Sequence, residues 1–399
     1  MNDLYHSLHP RLPDIYNWLN QKRPNTPPLP YSSVDIRESY FKIASIDTNV
    51  FPAGFNNLVP AYQSGIVESF QLFLQTYYPQ VRHILLCCED HTRNTFYLEN
   101  VYAIQHYLEL AGVAVTIGSF FNDHPHVCHD SGYLDIQTAH NHTIRVHCLA
   151  YIVAHRDAYP VDLCMLNNDL TDGKYNELMA LDVPIIPDPQ MGWHRRKKSD
   201  HFAILNNYAV ALVADLGLAI DPWLITTYFS VVSAVDIHND TDRERLADAA
   251  SDLLVAISAQ YKQHGITESP YLVLKSDSGT YGMGVIRVFD PMDIRQLNRK
   301  NRNKLAKGKA SIPIETIMIQ EGIPSVRQVN NIPSEEVIYS VGGNTVGGFY
   351  RFHPEKTGHD ILNARGMQFS PLVPATPSPI SDIIARLADV SAHHESIGS

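Results

Sequence analysis

Between residue 36 and about residue 190, short apolar runs alternate with amphipathic stretches. FKIASI (41–46), RHILLC (82–87), VAVTIG (113–118), RVHCLAYIV (145–153), VDLCML (161–166) and VPIIP (183–187) are rich in β-branched residues. Runs this short, separated by turn residues, predict buried strands. Two helices are expected between the earlier ones. One carries Ile66, Phe70, Phe73, Leu74 and Tyr77 and stops before Pro79; the other carries Val101, Ile104 and Leu108 and stops before Gly112. Continuous apolar strands spaced by helices predict an α/β unit with a largely parallel, covered sheet.

The pattern changes after GWHRRKKSDHF (192–202). Leu246, Ala249, Ala250, Leu253, Leu254 and Ile257 follow helical spacing over 241–263, with Asp240 or Thr241 as cap and Gly265 as stop. Strands are expected at YLVLK (271–275), GVIRVF (284–289) and ETIMIQ (315–320). VIYSVGG and TVGGFYRF follow, joined by a turn at Gly342-Gly343-Asn344. This half reads as α+β. The first 35 residues are Pro-rich and read as an irregular arm with a short helix.

Composition narrows the class. With 399 residues the chain exceeds the roughly 250–300 at which one core stops growing, so two or three domains are expected. A hydrophobic fraction of 44% excludes a disordered chain. The 31 basic against 42 acidic side chains give a net charge of −11, which argues against a non-specific nucleic-acid or membrane-surface binder. No run reaches the roughly 18–20 apolar residues of a membrane span, and the first residues lack a signal pattern. Five cysteines without a CxxC pair read as free, buried thiols of a cytoplasmic protein. The basic run 295–309 has no aromatic residues for base stacking and reads as an exposed helix or flap. HPHVCHD (124–130) hints at a metal but lacks a second cluster, so a histidine-bearing loop is expected.

Five segments can carry chemistry. In VLKSDSGTYGMGVIRV (273–288) a strand delivers Lys275, and Gly279, Gly282 and Gly284 lead into the next strand. Glycines let backbone N–H groups approach an anion, and a lysine at the strand end adds charge, so phosphate binding competes with a plain hairpin loop. At MIQEGIPS (318–325) a strand ends in Gln320-Glu321-Gly322, suited to an adenine edge and a ribose, or to a solvent-facing acidic turn. Arg351 leaves a Gly-flanked strand, followed by Asn363 and Arg365. Its planar donor array suits a transferring phosphoryl group, the alternative being a surface strand residue. SIDTNVFPAGFNNL (45–58) sets Asp47, Asn49, Asn56 and Asn57 beyond a strand end, as a substrate loop or an Asx-rich turn. Arg195 to Lys198 concentrate positive charge, to reach an anion or to link domains.

In this order, over residues 45–369, the segments resemble the ATP-grasp superfamily, and specifically the bacterial glutamate–cysteine ligase family of the ATP-grasp type. The resemblance implies a Rossmann-like pre-ATP-grasp substrate domain at 36–200, after the arm at 1–35, and an α+β ATP-grasp module at 201–399. It implies that Lys275 contacts the ATP phosphates under a flap of Ser278, Gly279, Thr280, Tyr281, Gly282 and Gly284. Gln320 and Glu321 then border adenine, and Arg351 stabilises the phosphoryl in flight. Asn363 is implied near phosphate or substrate. Asp47, Asn49, Asn56, Arg195, Lys198 and Arg365 are assigned to substrate by polarity. The implied reaction joins glutamate to cysteine with ATP and Mg²⁺, through γ-glutamyl phosphate. Another carboxylate–amine ligase, such as a glutathione synthetase, is the alternative, and a non-catalytic nucleotide-binding protein a more distant one. One departure stands out: no E-x-N metal motif follows Gly366. The magnesium ligands are unassigned, with Glu335, Glu336 and Asp360 as loose candidates. The oligomeric state, including a homo-oligomer, stays open.

Overall fold

The computed structural model describes residues 2–90, 93–122, 126–129, 131–173, 175–279, 284–308, 313–374 and 376–398. Helices α1 (Asn2–Leu8) and α2 (Leu12–Lys22) precede β1 (Tyr31–Glu38) and β2 (Ile43–Asn49). An alternating stretch follows: α3 (Gln63–Tyr77), β3 (His83–Cys88), α4 (Thr95–Leu110), β4 (Ala114–Ser119), α5 (His126–His129), β5 (Tyr133–Gln137), β6 (Thr143–Cys148), α6 (Leu149–Ala154), β7 (Leu163–Asn167), α7 (Asn176–Met179) and β8 (Ile185–Ile186). Next come α8 (Lys198–Leu216), β9 (Phe229–Ser233), α9 (Asp240–Gln263), β10 (Leu272–Ser276), β11 (Ile286–Val288), α10 (Pro291–Arg295), α11 (Arg299–Ala306) and β12 (Thr316–Glu321). The chain closes with β13 (Gln328–Val329), β14 (Ile332–Val341), β15 (Asn344–Phe352), β16 (Gln368–Pro371) and α12 (Pro379–Gly398).

The first sheet has the order β5-β6-β4-β3-β7-β8, parallel except for β5. Its apolar runs are explained by cover on both sides. Ile84, Leu86 and Cys88 of β3 pack with α3 and α4, while Leu85 and Cys87 pack against α6 and α7. The second sheet, β11-β10-β12-β9, is antiparallel and rests on the Leu246, Ala250, Leu253 and Ile257 stripe of α9. That helix is capped by Asn239, whose side chain accepts from the Thr241 and Asp242 N–H groups, rather than by Asp240 or Thr241; Gly265, at φ +65°, ends it.

The third sheet, β16-β15-β14-β1-β2, joins the two ends of the chain. The run at 41–46, expected in the parallel sheet, lies here instead, and sheet membership does not follow the expected division at residues 35 and 200. An apolar run of strand length carries no information about its partner. One face of this sheet (Val34, Ile36, Ile43, Ile338) is buried under α1, α2, α8 and α12. The arm expected to be irregular with a short helix is two packed helices within residues 2–22, then an irregular Pro-rich stretch over 23–30 before β1.

The expectation of five free thiols is also corrected. Cys128 and Cys148 form a disulfide, and Cys87, Cys88 and Cys164 are free and buried. The basic run forms α11 and part of α10, as expected of a helix. No helix among the described residues is long and apolar enough to cross a membrane.

Candidate active site

The other face of the third sheet is the site. Side chains alternate along a strand, so β1 presents Ser33, Asp35 and Arg37 to one side, where β2 presents Asp47 and Asn49. Glu335 of β14 and Arg351 of β15 are register partners on the same face. So are Asp35 and Asp47, two carboxylates directly opposite each other. That arrangement repels unless cations intervene, and they do. Arg351 Nε donates to Glu335 Oε1 at 2.8 Å, and its Nη2 donates to the same oxygen at 2.6 Å and to Asp35. Arg37 Nε donates to Glu335 Oε2 at 2.7 Å. Lys198 Nζ meets Asp47 Oδ1 at 2.5 Å. Lys198 opens α8, and that end of the helix is pinned to the end of β10: Ser199 N and Oγ both donate to Asp277, at 2.8 Å. Lys275 Nζ donates to the Ile46 carbonyl at 2.9 Å and lies over the Phe202 ring.

Burial and neighbours set the protonation of this network. Burial pushes Asp35 up to about 6; Arg351 opposes the rise, and Glu335 and Asp47 add to it. Burial also disfavours ionised Asp47, yet Lys198 and Lys275 hold it well below the usual carboxylate range. Glu335 is lowered in the same way, burial being outweighed by Arg37 and Arg351. Lys275 is pushed down to about 8, mainly by burial, with Asp47 opposing and Lys198 assisting.

Two cavities meet at this face. The first, about 590 Å³, lies between the second and third sheets. Val273, Val285, Ile323 and Leu362 form an apolar slot beside the end of β12, and Lys275, Arg351 and Asp47 stand at its charged end. The second, about 780 Å³, shares Asp35, Asp47, Arg351 and Asn363 with it and reaches the carboxyl ends of β3 and β7.

Seven of the residues assigned to ATP or substrate from the sequence converge here. Lys275, Arg351, Gln320, Glu321, Asp47 and Asn363 line the first cavity, and Asn49 lines the second. Arg365 and Gly284 border an adjoining basic cavity that also holds Lys304, Lys307 and Lys356. Ser278 and Gly279 face a separate cavity beside Trp193 and His194. Ser278 Oγ there donates to the Arg196 carbonyl at 3.0 Å. Thr280, Tyr281 and Gly282 lie outside the described residues.

Several expectations are corrected. The Glu321 carboxylate is turned away from any ribose: both oxygens receive Lys42 Nζ at 3.0 Å, and one also receives Trp223 Nε1 and the Tyr228 N–H. Arg195 is exposed and bonds Gln190, whereas its neighbour Arg196 is buried, paired with Glu395 and donating to the Thr48 carbonyl. Asn56 does not line either cavity; Asn57, which it bonds, lines the second. Of the loose metal candidates, Glu335 faces the cavity but is held by two arginines. Glu336 pairs at 3.9 Å with Arg327, and Asp360 pairs with Arg287 at 2.8 Å. Asp35 and Arg37 escaped notice, though the alternation in YSSVDIRE already sets both on one strand face.

A family model described as glutamate-cysteine ligase, GshA, matches residues 6–394. The chain belongs to the glutamate–cysteine ligase family. It is thus a ligase that forms a C–N bond between glutamate and cysteine. The ligase is also similar to a crystal structure from Methylobacillus flagellatus KT, provisionally described as a γ-glutamylcysteine synthetase. The two are 31% identical with a TM-score of 0.85, over 98% of this chain and 95% of that one. A D-alanyl-alanine synthetase A structure from Vibrio cholerae aligns over 79% of this chain and 80% of that one, at 10% identity and a TM-score of 0.32, and carries no argument. No curated protein matches the chain.

A pH dependence follows from Lys275. Its amine is charged below about 8 and neutral above it. Under the nucleotide placement proposed below, the charged form takes the anion, so kcat/KM for ATP is expected to fall about tenfold per pH unit on the alkaline side of that value. Lys275→Arg moves this limb out of range, because guanidinium stays charged. Coincident alkaline limbs in wild type and variant would remove Lys275 from the nucleotide site.

Proposed function

We propose that the ligase binds ATP in the first cavity and glutamate in the second, so that the γ-carboxylate and the γ-phosphate meet at the wall both cavities share. The observation that carries this reading is that Asp35, Asp47, Arg351 and Asn363 line both. The apolar slot by Gln320 to Ile323 suits adenine, and Lys275 the phosphates. The second and third sheets are read as the two lobes of an ATP-grasp module, with the first sheet as the Rossmann-like substrate domain.

A γ-carboxylate oxygen attacks the γ-phosphorus, the bond to the β-phosphate oxygen breaks, and ADP leaves. Arg351 meets the charge that spreads over the transferring group. The cysteine amine then attacks the acyl carbon of the γ-glutamyl phosphate, and inorganic phosphate departs. The amine must lose a proton, and the departing phosphate can take it.

Hard carboxylate oxygens at Asp35 and Asp47 fit Mg²⁺, and both line the wall that the two cavities share. Among the described residues no three acidic, cysteine or histidine side chains converge as a cage. That agrees with an ion held by one or two carboxylates and otherwise by phosphate and water oxygens. When bound, Mg²⁺ neutralises charge on the phosphates.

Incubation with ATP, Mg²⁺, glutamate and cysteine should yield γ-glutamylcysteine, ADP and phosphate by mass spectrometry. Glutamate labelled with ¹⁸O in its γ-carboxylate should pass one ¹⁸O to the phosphate. Product without that transfer would dismiss the acylphosphate, and ADP release only with other amino acids would dismiss the assignment of cavities to these substrates.

A further inference from the structure

The first sheet contributes a feature that the phosphoryl chemistry does not use. From β3 the chain runs outward to β4 and β6, then returns across β3 to add β7 on its other side. Open α/β sheets bind ligands beyond the carboxyl ends of the strands where the order reverses. Here that point lies between β3 and β7. Glu89 directly follows β3, and Asn167 and Asp169 lie at the end of β7. All three line the second cavity, whose opposite wall holds Arg351 and Asn363. The cavity thus carries Glu89 and Asp169 at one end and, at the other, Arg351, the one arginine among its described lining residues, set among Asp35 and Asp47; Phe51, Pro52, Val337, Tyr339 and Phe349 also line it.

Local bonds tie Glu89 to the backbone of Asp169 and fix the Asp169 carboxylate. Glu89 Oε1 accepts from Asp169 N at 3.0 Å. Asp169 Oδ1 accepts from the Thr171 N–H at 3.2 Å and from its hydroxyl at 2.6 Å. Glu89 N in turn donates to the Tyr97 hydroxyl at 2.9 Å, and that hydroxyl donates to the Asn167 carbonyl at 2.7 Å. The acidic end is therefore built into the ends of two central strands rather than carried on a free loop.

Resting on the placement of glutamate in this cavity, we infer that Glu89 and Asp169 hold its α-ammonium group and so select an amino acid over a plain dicarboxylic acid. A substrate whose side-chain carboxylate reaches Arg351 must direct its other end toward β3 and β7. Its methylenes then run past the apolar flank. Two carboxylates there recognise a cation, which glutamate carries and glutarate lacks.

The test uses Glu89→Gln and Asp169→Asn, singly and together; each keeps the acceptor oxygen that its local bonds require. Losing a charged hydrogen bond to the ammonium should raise KM for glutamate about 10- to 100-fold, with KM for ATP unchanged and kcat affected less. The preference for glutamate over glutarate, which lacks the ammonium, should fall by a similar factor. Calorimetric titration of glutamate, with a non-hydrolysable ATP analogue present, reads the same loss without turnover. Unaltered glutamate binding and preference in the double variant would overturn the inference, as would a change confined to the KM for cysteine. If the wild-type protein itself neither binds nor ligates glutamate, the placement of substrates fails first, and the inference with it.

Discussion

Arg351→Ala is expected to lower kcat by roughly three orders of magnitude or more, the scale on which a phosphoryl-clamping arginine acts. It should also weaken the fold. Arg351 is buried with Asp35 and Glu335, both of them acids under 5% exposed. Its removal leaves Asp35 without that partner and Glu335 with Arg37 alone. Breaking a buried ion pair from one side costs about 3–5 kcal/mol. The two effects separate in Arg351→Lys, which keeps a positive charge for the carboxylates but not the planar fork. That variant should recover much of the stability, read from urea unfolding, and little of the rate, read from ADP release. Wild-type turnover in either variant would remove Arg351 from the chemistry.

The second large effect concerns stability rather than rate. Lys42 and Glu321 form a pair with no solvent exposure on either side chain, and the Lys42 ammonium also sits 3.9 Å from the Trp223 ring centroid. Burial pushes Lys42 down to about 8 in spite of the Glu321 charge. Glu321→Ala strands that ammonium and should cost about 3–5 kcal/mol near neutral pH. The sign with pH is set by the amine. In the unfolded chain it stays charged until about 10.4, whereas in the folded variant it must be neutral well below that. Wild-type Lys42 itself loses its charge above about 8, so the variant should regain stability relative to wild type as pH rises toward about 8, and the gap should level off beyond it. A double replacement, Lys42→Met with Glu321→Leu, removes both charges and should lose less than the single change. A penalty that does not shrink between about pH 6 and 8 would contradict the account.

How far the chain could be read in advance depended on what each residue packs against. Strands β3 and β7 are almost wholly apolar and buried because both their faces are covered, and this pattern is visible locally. Strand β1 has Ser33, Asp35 and Arg37 on one side, so it carries no such run; its burial comes from pairing with β14, some 300 residues further on. Likewise Lys275 and Arg351 stood out because a glycine-flanked strand end bearing a cation is unusual. Glu321 and Arg195 were misread because residue type does not reveal a partner: Lys42 claims the first, and the second lies outside while Arg196 turns in. The cysteine count could not show that Cys128 and Cys148 become neighbours in space.

Because the third sheet is assembled from both ends of the chain, the enzyme's catalytic face is the last thing the ribosome can deliver. Asp35 and Arg351 are 316 positions apart, and contacts of that span form late and slowly. Until β14 to β16 emerge, a nascent chain holds two opposed carboxylates and no arginine between them. On the role proposed for Arg351, a prematurely terminated product can display the parallel sheet but lacks the cation that would meet the transferring phosphoryl group.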